Sequence, residues 1–262
     1  VSLFLFSTLV STLGTIAGIG GGIFLVPALV MCAGAPIDVA IGVTALSLFP
    51  GSLVSSLRNF KAQMIDFKLM WALEVPAIVG AIGGSVLTAV VPERPLEIAF
   101  ALFLLFVALR TFLPRTNPSP WIETLRRLNT KAPVVERTNY SFGLWATTPF
   151  GFLSGIVAGL LGIGGGIIKT PLMIHVFQVP SARATATAIC TIVFTSLASG
   201  FTHYQMGHFD RTLFFACASG MVCGAFIGTQ ISWSLKEDGI KKIVAVSMFA
   251  AGLAILFKSA LT

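Results

Sequence analysis

Long apolar runs separated by short polar loops fill this chain from end to end, and that feature restricts its fold more than any other. About 20 apolar residues span the ~30 Å hydrocarbon core of a bilayer. A backbone placed there has no water to bond, so such runs must be helices. Composition agrees: 55% of the 262 residues are hydrophobic and 10% are charged, against about 25% charged in an ordinary globular domain, and the mean hydropathy is +0.92. The expected fold class is an all-α polytopic membrane protein with the lipid bilayer as its first partner. The net charge of +7 is read as Lys and Arg gathered on cytoplasmic loops, not as a nucleic-acid surface. Residues 1–13 lack a basic start and run straight into a glycine motif, so no cleavable leader is expected. The cysteines Cys32, Cys190, Cys217 and Cys223 lie in apolar segments without a CxxC pair. No metal site, disulfide framework or cofactor is expected from them.

The chain repeats itself at an offset of 144 residues. Gly18-Ile19-Gly20-Gly21-Gly22-Ile23 falls on Gly162-Ile163-Gly164-Gly165-Gly166-Ile167, Pro27 on Pro171, Pro36 on Pro180, and Asp66 on Asp210. Eighteen of the 67 positions from 18 to 84 are identical without a gap, a register that shared composition does not produce. The reading is a first transmembrane repeat over 1–113, a polar, Pro-rich cytoplasmic connector over 114–141, and a second transmembrane repeat over 142–262. Each repeat holds four long helices (1–17, 37–58, 68–91 and 95–113; 142–161, 181–202, 211–234 and 240–258). Each also holds one short glycine-led half-helix (22–33; 166–178), too short to span upright. The connector is a linker or a lateral amphipathic helix.

Two topologies follow. If the short pieces count as crossings, each repeat has five segments and the second copy is inverted; if not, the copies are parallel. The inverted arrangement gathers eleven basic residues on one face, among them Arg58, Lys61 and Lys68, and leaves three, Arg94, Arg211 and Lys258, on the other. The parallel arrangement divides them ten to four. The basic loop 58–68 also corresponds to 202–211, "THYQMGHFDR", which has no Lys, two His and a single Arg. We prefer the inverted topology.

Glycine in a hydrophobic run frees the backbone from helix and lets another chain or a ligand approach. A helix that restarts after it offers unpaired N–H groups and a positive dipole end. Secondary transporters use paired, interrupted helices of this kind near the midplane; close helix packing is the competing use. The motifs "GIGGGIFLVP", "AIGVTALSLFPGSLVSSLRNFKAQMIDF" and "ARATATAICTIVFTSLASGFTHYQMGHFD" resemble the TauE/SafE family of sulfite-exporter-like membrane proteins, over everything except 114–141. The resemblance implies transport of sulfite, an organosulfonate such as sulfoacetate, or another small anion across a cell membrane, for a bacterial chain the inner membrane.

The candidate substrate residues are Gly20, Gly21 and Gly22 with Gly164, Gly165 and Gly166 at the two breaks. After each Pro-marked turn a polar stripe follows on one helical face: Thr44, Ser47, Gly51, Ser55 and Asn59 in the first repeat, Thr187, Thr191, Thr195, Ser199 and His203 in the second; Ser52 and Ser196, beside the stripes, are further candidates. Hydroxyls suit an oxyanion, because each donates a proton without carrying charge; they also mediate helix packing in lipid. Lys169 stands three residues past the second glycine run, where the first repeat has Leu25. It either helps hold an anion or snorkels to an interface. Glu74 lies inside a span and carries a coupling proton or pairs with a basic residue. His175 is the other candidate for proton coupling.

The expected function is a secondary carrier for a small anionic substrate, working by alternating access between the two repeats and directed to export. A proton-coupled importer, or a channel, is the alternative. No enzyme is expected, and no catalytic residues: no Ser–His pair is readable and the Asp residues sit in loops. No GxxxxGKS/T phosphate loop occurs, so the chain has no ATP motor of its own.

Overall fold

A computed structural model describes residues 2–112, 134–137, 140–232, 249, 252–253 and 255. The elements are α1 (Ser2–Ile16), α2 (Gly22–Cys32), α3 (Ile37–Lys61), α4 (Phe67–Val90), α5 (Glu93–Phe112), a two-stranded antiparallel hairpin of β1 (Val134–Arg137) and β2 (Tyr140–Gly143), then α6 (Leu144–Leu161), α7 (Gly166–His175), α8 (Ser181–Gln205) and α9 (Arg211–Ser232). The protein is an all-α polytopic membrane protein, the hairpin being a small appendage ahead of α6. The α3, α4, α8 and α9 helices are long and apolar enough to cross a bilayer. The helix expected over 240–258 falls outside the described residues except at 249, 252–253 and 255, as does most of the connector.

Local chemistry sets the helix ends. Pro36 and Pro180, with φ near −54° and −52°, open α3 and α8, where proline's missing N–H costs nothing. Asp66 caps α4 by accepting from the N–H groups of Lys68 and Leu69 at 3.1 and 3.3 Å. Asp210 caps α9 through Leu213 N–H at 2.8 Å. The two loop aspartates are thus N-caps.

The α4 helix shows the inside-out pattern of a membrane helix. Trp71, Val75, Val79, Ile82, Val86 and Val90 are exposed on one face, the face for lipid. Glu74, Gly80, Gly84, Ser85 and Thr88 are buried on the other. Small residues there allow backbone contact. A Cβ on Gly80 or Gly84 would strike the carbonyl of Phe152 or Ile156, and one on Gly151, Gly155 or Gly159 that of Leu73, Ala77 or Ala81. The pairs step by four residues in the same direction, so α4 and α6 run parallel at minimal separation. Likewise Gly220, Gly224 and Gly228 meet the carbonyls of Phe4, Thr8 and Thr12, so α9 and α1 run parallel. The tight partners therefore come from opposite repeats, and the second pair is the first pair displaced by 144 residues.

The α3 and α8 helices run antiparallel. Gly42 near the start of α3 abuts His203 and His208 at the end of α8, and Thr187 near the start of α8 accepts a hydrogen bond from Asp66 N–H beyond the end of α3, at 3.0 Å. Two matching serines mark the crossings: Ser85 donates to Ser199 and Thr229 to Ser55, each at 2.9 Å. Since α9 leaves the face at which α3 begins, α1 runs away from that face. The α2 helix returns to it through residues 33–36. So α1 and α2 form a hairpin whose tip is the first glycine run; α6 and α7 form the counterpart from the opposite face.

Candidate functional site

The two hairpin tips meet in the middle of the molecule. Gly18, Gly20 and Gly21 have φ of +72°, +85° and +87°, and Gly162, Gly164 and Gly165 have +67°, +76° and +73°. Only glycine enters this region freely, so the motif is needed to reverse the chain within a few residues. Gly22 and Gly166 are the first residues of α2 and α7. A Cβ on Gly22 would sit 3.1 Å from the Gly162 carbonyl oxygen, and one on Gly166 2.9 Å from that of Gly18. The turns also touch one shared pair of side chains. Gly20 and Gly164 both face Leu48 and Ile192, each the twelfth residue of a 25-residue helix and each fully buried. Two helix N-termini, with their unpaired N–H groups and positive dipole ends, thus point at one another at mid-depth, with Leu48 and Ile192 between them.

Beside this centre lies a charged cluster with no exposure. Lys169, on the first turn of α7, donates to Glu74 Oε2 on α4 at 2.5 Å and to Thr195 Oγ1 on α8 at 3.1 Å. Thr195 donates to the other oxygen of Glu74. All three residues are 0% exposed. Lys169 therefore does not snorkel, and Glu74 pairs with a basic residue. The positions 144 residues away are Leu25, Ala218 and Gly51, so this cluster exists once in an otherwise paired architecture.

The hydroxyl stripes are buried as well, but their bonding differs. Ser52, Thr191 and Ser196 donate to carbonyls on their own helices, the usual way to satisfy a hydroxyl in a helix. Ser55 and Ser199 join the interhelical pairs described above, and Thr187 receives the Asp66 N–H. Thr44 Oγ1 and Ser47 Oγ are fully buried and have no hydrogen-bond partner among the described residues. An unmet buried hydroxyl costs about 1–3 kcal/mol, so these two lower the stability of the fold. His175 is half-buried at the last residue of α7, six residues and about 9 Å of helix beyond Lys169. It is not part of the cluster.

Sequence reasoning did not pick out Ser85 and Thr229, whose signal is their own correspondence at the 144-residue offset. It placed His203 on the second polar stripe but did not join it to His208 and Asp38 at the far end of α8. Buried His203 places Nε2 3.0 Å from the Gly159 carbonyl and Nδ1 3.3 Å from His208 Nδ1; His208 Nε2 lies 3.5 Å from Asp38. A separate groove of about 560 Å³, lined by Val54, Leu57, Arg58, Lys61 and Phe226, opens at the basic end of α3.

The family described as sulfite exporter TauE/SafE matches residues 3–255. The chain is similar to the probable membrane transporter protein YunE of Bacillus subtilis (strain 168), 23% identical over 267 residues that cover 98% of this chain and 97% of the relative. It is also similar to the probable membrane transporter protein MJ0441 of Methanocaldococcus jannaschii, 21% identical over 95% of this chain and 92% of the relative. A probable membrane transporter protein of Haemophilus influenzae is 33% identical over 90 residues, 30% of this chain and 34% of the relative. No solved structure matches the chain.

Proposed function

The chain belongs to the sulfite exporter TauE/SafE family, and on that premise we propose that it is a secondary carrier for a small sulfur-containing anion, sulfite or an organosulfonate such as sulfoacetate, in a bacterial inner membrane. The observation that carries this reading is the head-to-head meeting of two glycine-led helix N-termini at mid-depth. The first N–H groups of α2 and α7, at Gly22 and Gly166, bind the anion once Leu48 and Ile192 draw apart, and Thr44 and Ser47 supply the hydroxyl donors. The antiparallel run of α3 and α8 supports an inverted pair of repeats, with the loops of Arg58 and Lys61 toward the cytoplasm. Access alternates as the α1–α9 pair moves against the α4–α6 pair. Each moving body then draws on both repeats.

The first reading is export. Moving one negative charge out of a cell at 100 mV, inside negative, gains about 2.3 kcal/mol, about a fiftyfold gradient without further coupling. The Glu74–Lys169 pair favours the second reading, proton-coupled uptake. The positive charge of Lys169 is already matched by Glu74, so a monovalent anion entering the centre leaves it with net charge −1 in a medium that solvates charge poorly. A proton on Glu74 restores neutrality and frees Lys169 for the anion. One proton then moves with each monovalent anion.

The test is flux in proteoliposomes loaded with radiolabelled sulfite, under an imposed potential of either sign and, separately, a pH gradient, with sulfoacetate, thiosulfate, sulfate and acetate as competitors. Flux that follows the potential alone establishes the uncoupled exporter. Flux that follows the pH gradient establishes coupling. No flux from folded protein refutes the sulfite-type reading, and ion current at rates beyond a carrier's refutes alternating access.

A further inference from the structure

Interhelical side-chain hydrogen bonds sort the described helices into two groups. In the first, Ser11 and Thr12 on α1 donate to the carbonyls of Met221 and Gly224 on α9, Thr229 on α9 donates to Ser55 on α3, and Arg58 on α3 donates to the Phe226 carbonyl on α9. In the second, Ser85 on α4 donates to Ser199 on α8, Thr88 on α4 donates to the Leu160 carbonyl on α6, and Lys169 on α7 joins Glu74 on α4 and Thr195 on α8. The α1–α9 pair thus carries α3, and the α4–α6 pair carries α8. Each group also holds one glycine-tipped hairpin. At one surface the seam between the groups is bridged where His203 meets His208, on the loop from α8 to α9. At mid-depth it is bridged by Thr170. This residue lies on the second turn of α7 and is 6% exposed, and its hydroxyl donates to the Gly18 carbonyl on the opposite tip at 2.9 Å. Gly18 is pressed on the second group from another side as well, since a Cβ on it would lie 2.9 Å from Thr185 on α8. The matching position of Thr170 is Val26, which offers the Gly162 carbonyl no such bond.

The same hydroxyl is placed to meet an anion. Gly166 and Thr170 are four residues apart and share one face of α7. The Gly18 carbonyl oxygen lies against both, 2.9 Å from Thr170 Oγ1 and 2.9 Å from a Cβ built on Gly166. Side chains on a helix lean toward its N-terminus, so the Thr170 hydroxyl leans over the turn that begins at Gly166. A hydroxyl has one proton to donate. An ionised acceptor takes about twice the bond strength of a neutral one, so an anion at the first turn of α7 outcompetes the Gly18 carbonyl for it.

We propose that Thr170 is a further substrate-binding residue and the latch of the empty carrier: its hydroxyl ties the two hairpin tips together through the Gly18 carbonyl, and turns to the anion when the anion binds. This rests on the alternating-access reading above. Without anion, the two groups part only by breaking the Thr170–Gly18 bond. With anion, the hydroxyl has already left Gly18, and the seam is untied at mid-depth. The loaded carrier therefore changes face more readily than the empty one, and the protein favours exchange of one anion for another over net movement.

The full chain is reconstituted in vesicles loaded with radiolabelled sulfite, at equal pH on both sides, with potassium and valinomycin holding the potential at zero. Efflux is followed into medium with unlabelled sulfite, which reads exchange, and into medium without it, which reads net movement. The ratio of the two rates is taken on one batch of vesicles, so the fraction of folded protein cancels. In the unsubstituted protein exchange is expected to outpace net efflux by at least about fivefold, the factor one ordinary hydrogen bond supplies. Thr170→Val, the residue type of the matching position, is expected to lower that ratio about fivefold and to raise the half-saturating sulfite concentration of exchange by a similar factor. Thr170→Ala is expected to do the same, and Thr170→Ser, which keeps the hydroxyl, to hold the parent ratio. Equal exchange and net efflux in the unsubstituted protein, a result that needs no variant, overturns the latch alone, as does a parental ratio in the valine or alanine variant. No sulfite flux in the unsubstituted protein overturns the sulfite-carrier reading and the latch together.

Discussion

Replacing Lys169 by Leu, the residue at the matching position of the first repeat, is the sharpest perturbation of this molecule. At 2.5 Å and an effective dielectric constant near 20, the attraction between Lys169 and Glu74 is about 7 kcal/mol. It offsets a desolvation cost of several kcal/mol for each ion. Removing one partner leaves the other's cost standing, so Lys169→Leu and Glu74→Ala are each expected to lose about 3–5 kcal/mol. The double variant rebuilds the neutral arrangement of Leu25 and Ala218 and is expected to return to within about 2 kcal/mol of the parent. Unfolding in mixed micelles of increasing dodecyl sulfate, followed by the fluorescence of the four tryptophans, closes the cycle. Trp71, one turn from Glu74 on α4, reports locally. Stability losses that add to within about 0.5 kcal/mol would refute the buried, mutually dependent pair. Transport separates structure from function: the double variant folds but moves no anion against a pH gradient.

Thr44→Val and Ser47→Ala remove hydroxyls that have no partner among the described residues, so stability is expected to hold or to rise by up to about 2 kcal/mol. Anion affinity, read by competition against sulfite flux, falls about tenfold for each. Asp66→Ala removes the two cap bonds of α4 and lowers stability by about 1 kcal/mol in the same unfolding assay, without changing the pH dependence of transport. Gly164→Ala places a Cβ 2.9 Å from Ile192 at a φ of +76° and is expected to cost at least about 1–2 kcal/mol. Gly34→Ala, at +64° but with nothing within 4 Å, separates backbone strain from crowding at the tip.

Much of the architecture is legible in the residues. The GIGGG runs mark the chain reversals, and the Pro36 and Pro180 turns mark the starts of the long central helices. The stripes from Thr44 and Thr187 mark buried faces. Lys169 and Glu74 are found as separate candidates, and their pairing has a signal: they are opposite charges inside spans, and both lose their charge at the 144-residue offset. What no periodicity reveals is the partner of each small-residue face. Lipid is as apolar as a protein core, so a helix turned toward either has similar requirements. Gly155 and Gly224 announce close contact but not with which helix. The motion proposed above is therefore of bodies assembled across the repeats, where the residues alone suggest one repeat moving against the other. The His203–His208–Asp38 chain is equally hidden, because its members are brought together by the antiparallel run of α3 and α8.

The exchange of partners between repeats bears on how such a chain arises. Alone, either repeat would turn a glycine-lined groove toward lipid: α4 without α6, or α9 without α1. Two copies of one ancestral half, inserted in opposite orientations, would fill each other's grooves. Fusion through a polar linker then needs no new interface, only a tether. Once both halves lie on one chain, each is free to drift, and a lysine, a glutamate and two histidines can appear on one side without spoiling the other. A protein cut within 114–141 and expressed as two pieces should for the same reason reassemble in the bilayer.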